Sequence, residues 1–184
     1  MRGGHMSNRI QEVREIYRGK ILNVFVETTR LADGKEKDRE VVRHPGAAAM
    51  VPLLESGEVV LVKQYRHAVD RFLWEIPAGT LEKGESFIAC AKRELVEEVG
   101  YQAEHLELLN EIFPAPGYTD ECIRIFLATG LTPDRQNLDD DEVLEVKPIP
   151  FNRALDMIVS RDIQDAKTIT GLLLTQAKQT KESG

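Results

Sequence analysis

Between Ser86 and Val99 the apolar residues return at helical spacing, with Ile88, Ala91, Leu95 and Val99 on one side at about 100° per residue. Gly100 stands where a helix C-cap glycine belongs. Elsewhere the period shortens toward strands. Residues 21–26 read as a strand, Ala32-Asp33-Gly34 as a turn, and Arg39-Glu40-Val41-Val42-Arg43 as a charged return, which together predict a hairpin. Residues 47–54 and 59–64 flank Glu55-Ser56-Gly57-Glu58 and predict a second hairpin, so the sheet should be at least partly antiparallel. Pro77, Gly79 and Gly84 interrupt the pattern before the helix. Beyond it, strands are expected at 106–113, 122–128 and 143–149, with a proline-rich loop at 114–117 and an acidic loop at 137–142. Phe151, Ala154, Leu155, Ile158 and Val159 again recur at helical spacing, and a last helix should span about 166–178. No repeat or linker divides this order, which predicts an α+β fold.

Composition narrows the function classes. The 184 residues are 42% hydrophobic and 30% charged, enough for one ordinary globular domain. A formal charge of -7 argues against a broad nucleic-acid surface, so an anionic ligand must be met by local cations. No segment approaches the roughly 20 apolar residues of a membrane span, and no secretion signal opens the chain, which predicts a soluble cytoplasmic protein without a membrane partner. Cys90 and Cys122 form no CxxC pair, so packed thiols are expected, not a zinc knuckle or disulfide framework.

The chemistry concentrates on the helix of residues 86–99. On its wheel Glu98 lies about 20° from Ala91 and Glu94 about 60°, so both carboxylates flank the stripe expected to be buried, while Glu97 turns toward solvent and Arg93. Like charges at i and i+4 destabilise a helix, more so where water is partly excluded. Arg93 is placed to pair with Glu97, but no Lys or Arg lies one turn away on the Glu94/Glu98 side, which points to a divalent cation as counter-charge. Oxygen donors suit Mg2+, with Mn2+ able to substitute.

Spacing strengthens this reading. Gly79, five residues, Glu85, seven residues and then Arg93-Glu94-Leu95-Val96-Glu97-Glu98-Val99-Gly100-Tyr101 resemble the Nudix box, GX5EX7REUXEEXGU with U aliphatic or aromatic, at all nine specified positions. The resemblance implies a Nudix α/β/α sandwich with a mixed sheet and metal-dependent hydrolysis of a nucleoside diphosphate linked to another moiety. By position it makes Glu94 and Glu98 the principal metal ligands, Glu97 an auxiliary ligand and catalytic group, Glu85 a support or further ligand, Arg93 the catalytic-site organiser, and the Ala78 carbonyl an additional ligand. Gly79 is then expected to turn the backbone close to a metal-phosphate cluster.

Outside the box, Gly19-Lys20-Ile21, Arg39-Glu40-Val41-Val42, His44-Pro45-Gly46-Ala47, Gln64-Tyr65-Arg66 and Glu75-Ile76-Pro77-Ala78-Gly79 are similar to the ADP-ribose pyrophosphatase branch of the Nudix hydrolases. So is Pro116, the fifteenth residue beyond Tyr101. That likeness implies cleavage of ADP-ribose to AMP and ribose 5-phosphate. The alternatives are the same chemistry on a GDP- or UDP-linked sugar, and a nucleotide-binding module without catalysis, which the intact Glu94, Glu97 and Glu98 disfavour. Arg39 and Arg66 are the candidate diphosphate cations, with Gly79 and Pro116 at the substrate. Tyr17 and Phe25, on N-terminal strands reaching a second subunit of a homodimer, are the candidate adenine contacts. The general base implied by the branch is Glu142, with Glu145 in reserve, although a run such as Asp139-Asp140-Asp141-Glu142 is ordinarily a solvated loop tip. The division expected is 1–5 as an expression scar, 6–45 as N-terminal strands serving dimerisation and substrate, and 46–184 as the Nudix hydrolase domain.

Overall fold

A strand that is apolar at nearly every position needs cover on both faces. In the computed structural model, which describes residues 9–136 and 144–182, β4 (Ala47–Pro52) is a strand of this kind, and β5 (Glu58–Arg66) and β9 (Ile123–Pro133) carry such a run at 59–62 and 123–128. Alternation sorts their side chains. Ala47, Ala49, Val51, Val59, Leu61, Ile123, Ile125 and Leu127 form one core with Phe151, Ala154 and Met157 of α2 (Phe151–Val159) and Leu172 of α3 (Ala166–Glu182). Ala48, Met50, Val60, Val62, Phe126 and Ala128 form a second core with Cys90, Ala91, Leu95 and Val99 of α1 (Phe87–Val99). The result is the expected α+β sandwich, with helices on both sides of the strands.

Two sheets make up the middle layer. One is mixed, in the order β7 (Ala78–Thr80), β4, β9, β8 (Tyr101–Ile112), with β4 parallel to β9 and the other pairs antiparallel. The other is antiparallel, in the order β10 (Leu144–Pro150), β5, β6 (Arg71–Glu75). The hairpin expected of 47–54 and 59–64 is therefore not formed. β4 and β5 lie in different sheets, and the pairing between them is confined to the turn, where Leu53 bridges Val59 and the Leu54 N–H donates to the Glu58 carbonyl. β4 and the 59–62 run of β5 are buried on both faces, so neither holds an alternation that could specify a partner.

The described residues up to Pro45 group with Ala115–Cys122 in a separate unit. There β1 (Arg9–Arg18), β2 (Asn23–Arg30) and β3 (Glu36–Arg43) form an antiparallel sheet. The Val42 N–H donates to the Tyr118 carbonyl at 2.7 Å, and Asp120 N–H donates back to the Val42 carbonyl at 3.2 Å. Arg43 joins Glu27 and Asp120. Residues 115–122 thus cluster with the N-terminal strands, whereas the sequence division placed them within 46–184.

Local signals set the helix ends. Ser86 Oγ accepts the Ala89 N–H at 3.2 Å as the N-cap of α1, and Gly100 closes it at φ 69°. One core position differs from expectation, since Ile88 is 51% exposed and Cys90 is fully buried in its place. In α2 the expected Val159 is likewise exposed, and Met157 is buried. Among the described residues no helix is long and apolar enough to cross a membrane.

Candidate active site

The site is built where α1 meets β7. Glu98 is buried at 4% exposure and its Oε2 accepts the Ala78 N–H at 2.9 Å, which ties the last turn of the helix to the strand. Gly79, beside Ala48 of β4, faces Glu94 so closely that a Cβ there would lie 1.7 Å from the Glu94 Oε1. Its φ is not in the left-handed region, so the expected backbone turn is not what demands glycine here. The demand is space for the Glu94 carboxylate. Cys90 Sγ donates to the Gly79 carbonyl at 3.4 Å, and burial, with the charges of Glu94 and Glu85, pushes this thiol up to about 12. It is a packed, unreactive thiol, as expected.

Arg93 organises the carboxylates. Its Nε and Nη2 form a fork on Glu85 Oε1 and Oε2, both at 2.9 Å, while Nη1 donates to Glu94 Oε1 at 2.6 Å and to Glu97 Oε2 at 2.9 Å. Nη2 also reaches the Thr80 carbonyl at 3.3 Å. The sequence placed no cation on the Glu94 side of the helix; the structure corrects this, because the long Arg93 side chain serves its own neighbour Glu94 as well as Glu97. The fork on Glu85 comes first among the causes that raise the Arg93 pKa, so the guanidinium stays charged. The same fork, aided by the Glu82 N–H, holds the Glu85 carboxyl down at about 2.

The groups that the sequence offers as ligands, the carboxylates of Glu85, Glu94, Glu97 and Glu98 and the Ala78 carbonyl, would present a cation with oxygen donors alone, a chemistry that fits a hard divalent ion. The missing side chain of Gly79 is what lets the Glu94 carboxylate lie against β7. No group of three or more His, Cys, Asp and Glu among the described residues stands ready-made to hold a metal. Arg93 Nη1 engages one oxygen of each of Glu94 and Glu97, Oε1 of the former and Oε2 of the latter.

The other candidates fall in different places. Arg66, at the end of β5, lies in the same unit as α1 and feels the charge of Glu98, but its guanidinium is forked onto Glu75. Arg39 and Pro116, both exposed, line a cavity of about 560 Å³ in the N-terminal unit with Lys37, Arg43 and Tyr118. Tyr17 is 60% exposed on β1, and Phe25 is half-buried on β2. Glu142 lies outside the described residues. Glu145 pairs with Lys63 across β10 and β5 and, with Phe72 and Leu144, lines a cavity of about 310 Å³. Sequence reasoning gave no role to Glu75 or Lys167, although a glutamate set in Leu73-Trp74-Glu75-Ile76-Pro77 is a charge within an apolar run, which signals a buried partner.

Comparison with known proteins agrees with this geometry. A family model described as NUDIX domain matches residues 42–170. The chain is 39% identical to an ADP-ribose pyrophosphatase of Bacillus subtilis over 92% of each chain. It is 35% identical to a methanol dehydrogenase activator of Bacillus methanolicus, over 91% of this chain and 92% of the relative. It is also 35% identical to a GDP-mannose pyrophosphatase of Cronobacter sakazakii, over 84% and 91%. A crystal structure titled as an ADP compounds hydrolase superposes with a TM-score of 0.84 over 95% of both chains at 23% identity, a likeness of fold. With a family model over residues 42–170, a box complete in sequence and three of its four carboxylates gathered around Arg93, the chain belongs to the Nudix family.

Proposed function

We propose that this Nudix pyrophosphatase hydrolyses ADP-ribose to AMP and ribose 5-phosphate with Mg2+, or Mn2+ in its place. The observation that carries the reading is the cluster in which Arg93 gathers Glu85, Glu94 and Glu97 while Ala78 fixes Glu98. In this reading Glu94 and Glu98 are the principal metal ligands, Glu97 and the Ala78 carbonyl assist, and Glu85 serves through Arg93. A divalent cation bound there supplies positive charge to the diphosphate and to the charge developing on its oxygens. The chain's own groups do the rest. Arg93 sets the carboxylate positions, Arg66 and Arg39 orient the diphosphate, Gly79 and Pro116 border the substrate, and Glu142 takes a proton from the attacking water. We take the enzyme to be a cytoplasmic homodimer that brings Tyr17 and Phe25 to the adenine. The exposed Ile10, Val13, Ile16 and Tyr17 of β1 support an association through that strand.

The test is a turnover panel of ADP-ribose, GDP-mannose and a UDP-hexose with Mg2+ and with Mn2+, products being identified by chromatography. The proposal expects AMP from ADP-ribose at the highest kcat/KM. Preferred release of GMP from GDP-mannose would replace ADP-ribose as substrate, the reading that the GDP-mannose pyrophosphatase relative favours. Tight ADP-ribose binding without hydrolysis of any compound would leave a binding module.

A further inference from the structure

One buried carboxylate outside the α1 cluster collects two cations. Glu75, at the end of β6, is 1% exposed. Its Oε1 accepts Arg66 Nε at 2.7 Å and its Oε2 accepts Arg66 Nη2 at 2.7 Å, while Lys167 Nζ also donates to Oε2. Lys167 in turn meets Asp165 Oδ1 at 3.1 Å. Asp165 Oδ2 accepts both the backbone N–H of Thr168, at 2.9 Å, and its hydroxyl, at 2.6 Å, and so caps α3. The Thr168 hydroxyl oxygen accepts the Ile76 N–H at 2.8 Å, which fastens the residue after Glu75 to the same helical turn.

We propose that Glu75 and Lys167 are positioning residues for Arg66, fixing its guanidinium and keeping its charge available to the diphosphate. The inference rests on the reading of Arg66 as a diphosphate-orienting cation. Three features carry it. The fork on Glu75 uses Nε and Nη2, and among the described residues Nη1 makes no hydrogen bond, so one end of a fixed guanidinium remains to be used. Exposure follows the same gradient, with Arg66 at 41% for its side chain, Lys167 at 11% and Glu75 at 1%. Finally, an Arg–Glu pair alone is neutral and would offer an anion little field. Lys167 gives Glu75 a second cation, so the carboxylate is shared between Arg66 and Lys167 and is not spent on Arg66 alone, and Lys167 is held in turn by Asp165. The titration of Glu75 agrees: burial pushes it up, but the bond from Arg66 and the charge of Lys167 outweigh this and hold it below the usual carboxylate range.

A double-mutant cycle tests this. Lys167→Met, Arg66→Ala and the double variant are compared for kcat and KM with ADP-ribose and Mg2+, with Lys167→Arg as the conservative variant and thermal melts to confirm folding. Lys167→Met should lower kcat/KM about 10-fold, Lys167→Arg should restore most of it, and the change should have no further effect in the Arg66→Ala background. An equal loss in both backgrounds, or no loss in either, overturns the positioning role while leaving Arg66 its own. An Arg66→Ala enzyme with full activity overturns the reading of Arg66, and this inference with it. If Lys167→Met does not fold, Glu75→Asp, which keeps the charge and shortens the reach, takes its place with the same expectations.

Discussion

Replacing Gly79 by alanine puts a methyl group in place of one hydrogen at the point where β7 meets Glu94. The backbone there accepts any residue, so the effect comes from contact alone. The new Cβ would lie 1.7 Å from Glu94 Oε1, 1.8 Å from Cδ and 2.4 Å from Cγ. The carboxylate must retreat by roughly 1.5 Å or more to reach ordinary contact. It would leave Arg93 Nη1, now at 2.6 Å, a charge-assisted bond whose loss costs about 1.5–3 kcal/mol. Renewed solvation of the carboxylate and the stiffer unfolded chain of alanine return about 1 kcal/mol of this. The melting temperature should therefore fall by only about 1–8 °C. Turnover should suffer far more, because a displacement of about 1 Å in a group that organises the reaction costs about 10²-fold. Release of AMP from ADP-ribose, followed by chromatography across a Mg2+ titration, measures the one and a thermal melt the other. A Gly79→Ala enzyme that folds and turns over normally would refute the claim that the position of Glu94 matters to catalysis.

Other consequences are equally direct. Mg2+ should raise the melting temperature of the wild type by binding only the native state, and Glu98→Gln should lose both most of this rise and most of the turnover; unchanged activity at limiting Mg2+ would remove Glu98 from the ligand set. Glu85 is held at about 2 against an ordinary 4.5, so its folded pKa is depressed and its contribution to stability is complete above about pH 4.5 and lost as the pH falls toward 2. In EDTA, the gap in melting temperature between wild type and Glu85→Gln should be constant at neutral pH and close over that acid range; a gap that widens on acidification contradicts the Arg93 fork. Glu142→Gln should lower kcat by roughly 10²-fold with KM nearly unchanged, while Asp139→Asn, Asp140→Asn and Asp141→Asn do little. A crippled Glu145→Gln beside a normal Glu142→Gln would move the base to β10.

What the sequence disclosed follows from how local each signal is. Helix α1 was legible because Ser86, Gly100 and the apolar period lie within fifteen consecutive positions, and the carboxylates ride on it. Strand β1 was not. Its apolar residues Ile10, Val13, Ile16 and Tyr17 are spaced at three and one, since irregularities between Ile10 and Glu12 and between Glu15 and Tyr17 break the alternation of a strand. Strands β6 and β7 escaped because they are short and Pro77 lies between them. The reach of Arg93 to Glu94 was missed for another reason: a wheel places Cα atoms, and a long side chain can fold back over its own neighbour. The link from Glu75 to Lys167 spans 92 positions, and nothing in either segment names the other.

The central claim is that the carboxylates of α1 hold the cation on which diphosphate cleavage depends. Anomalous diffraction from crystals soaked with Mn2+ tests it most directly. The account predicts a peak bonded to Glu94 and Glu98 at about 2.1–2.2 Å that disappears or weakens in Glu98→Gln crystals. A strong peak elsewhere with none on these two residues, in protein that hydrolyses ADP-ribose, would contradict it.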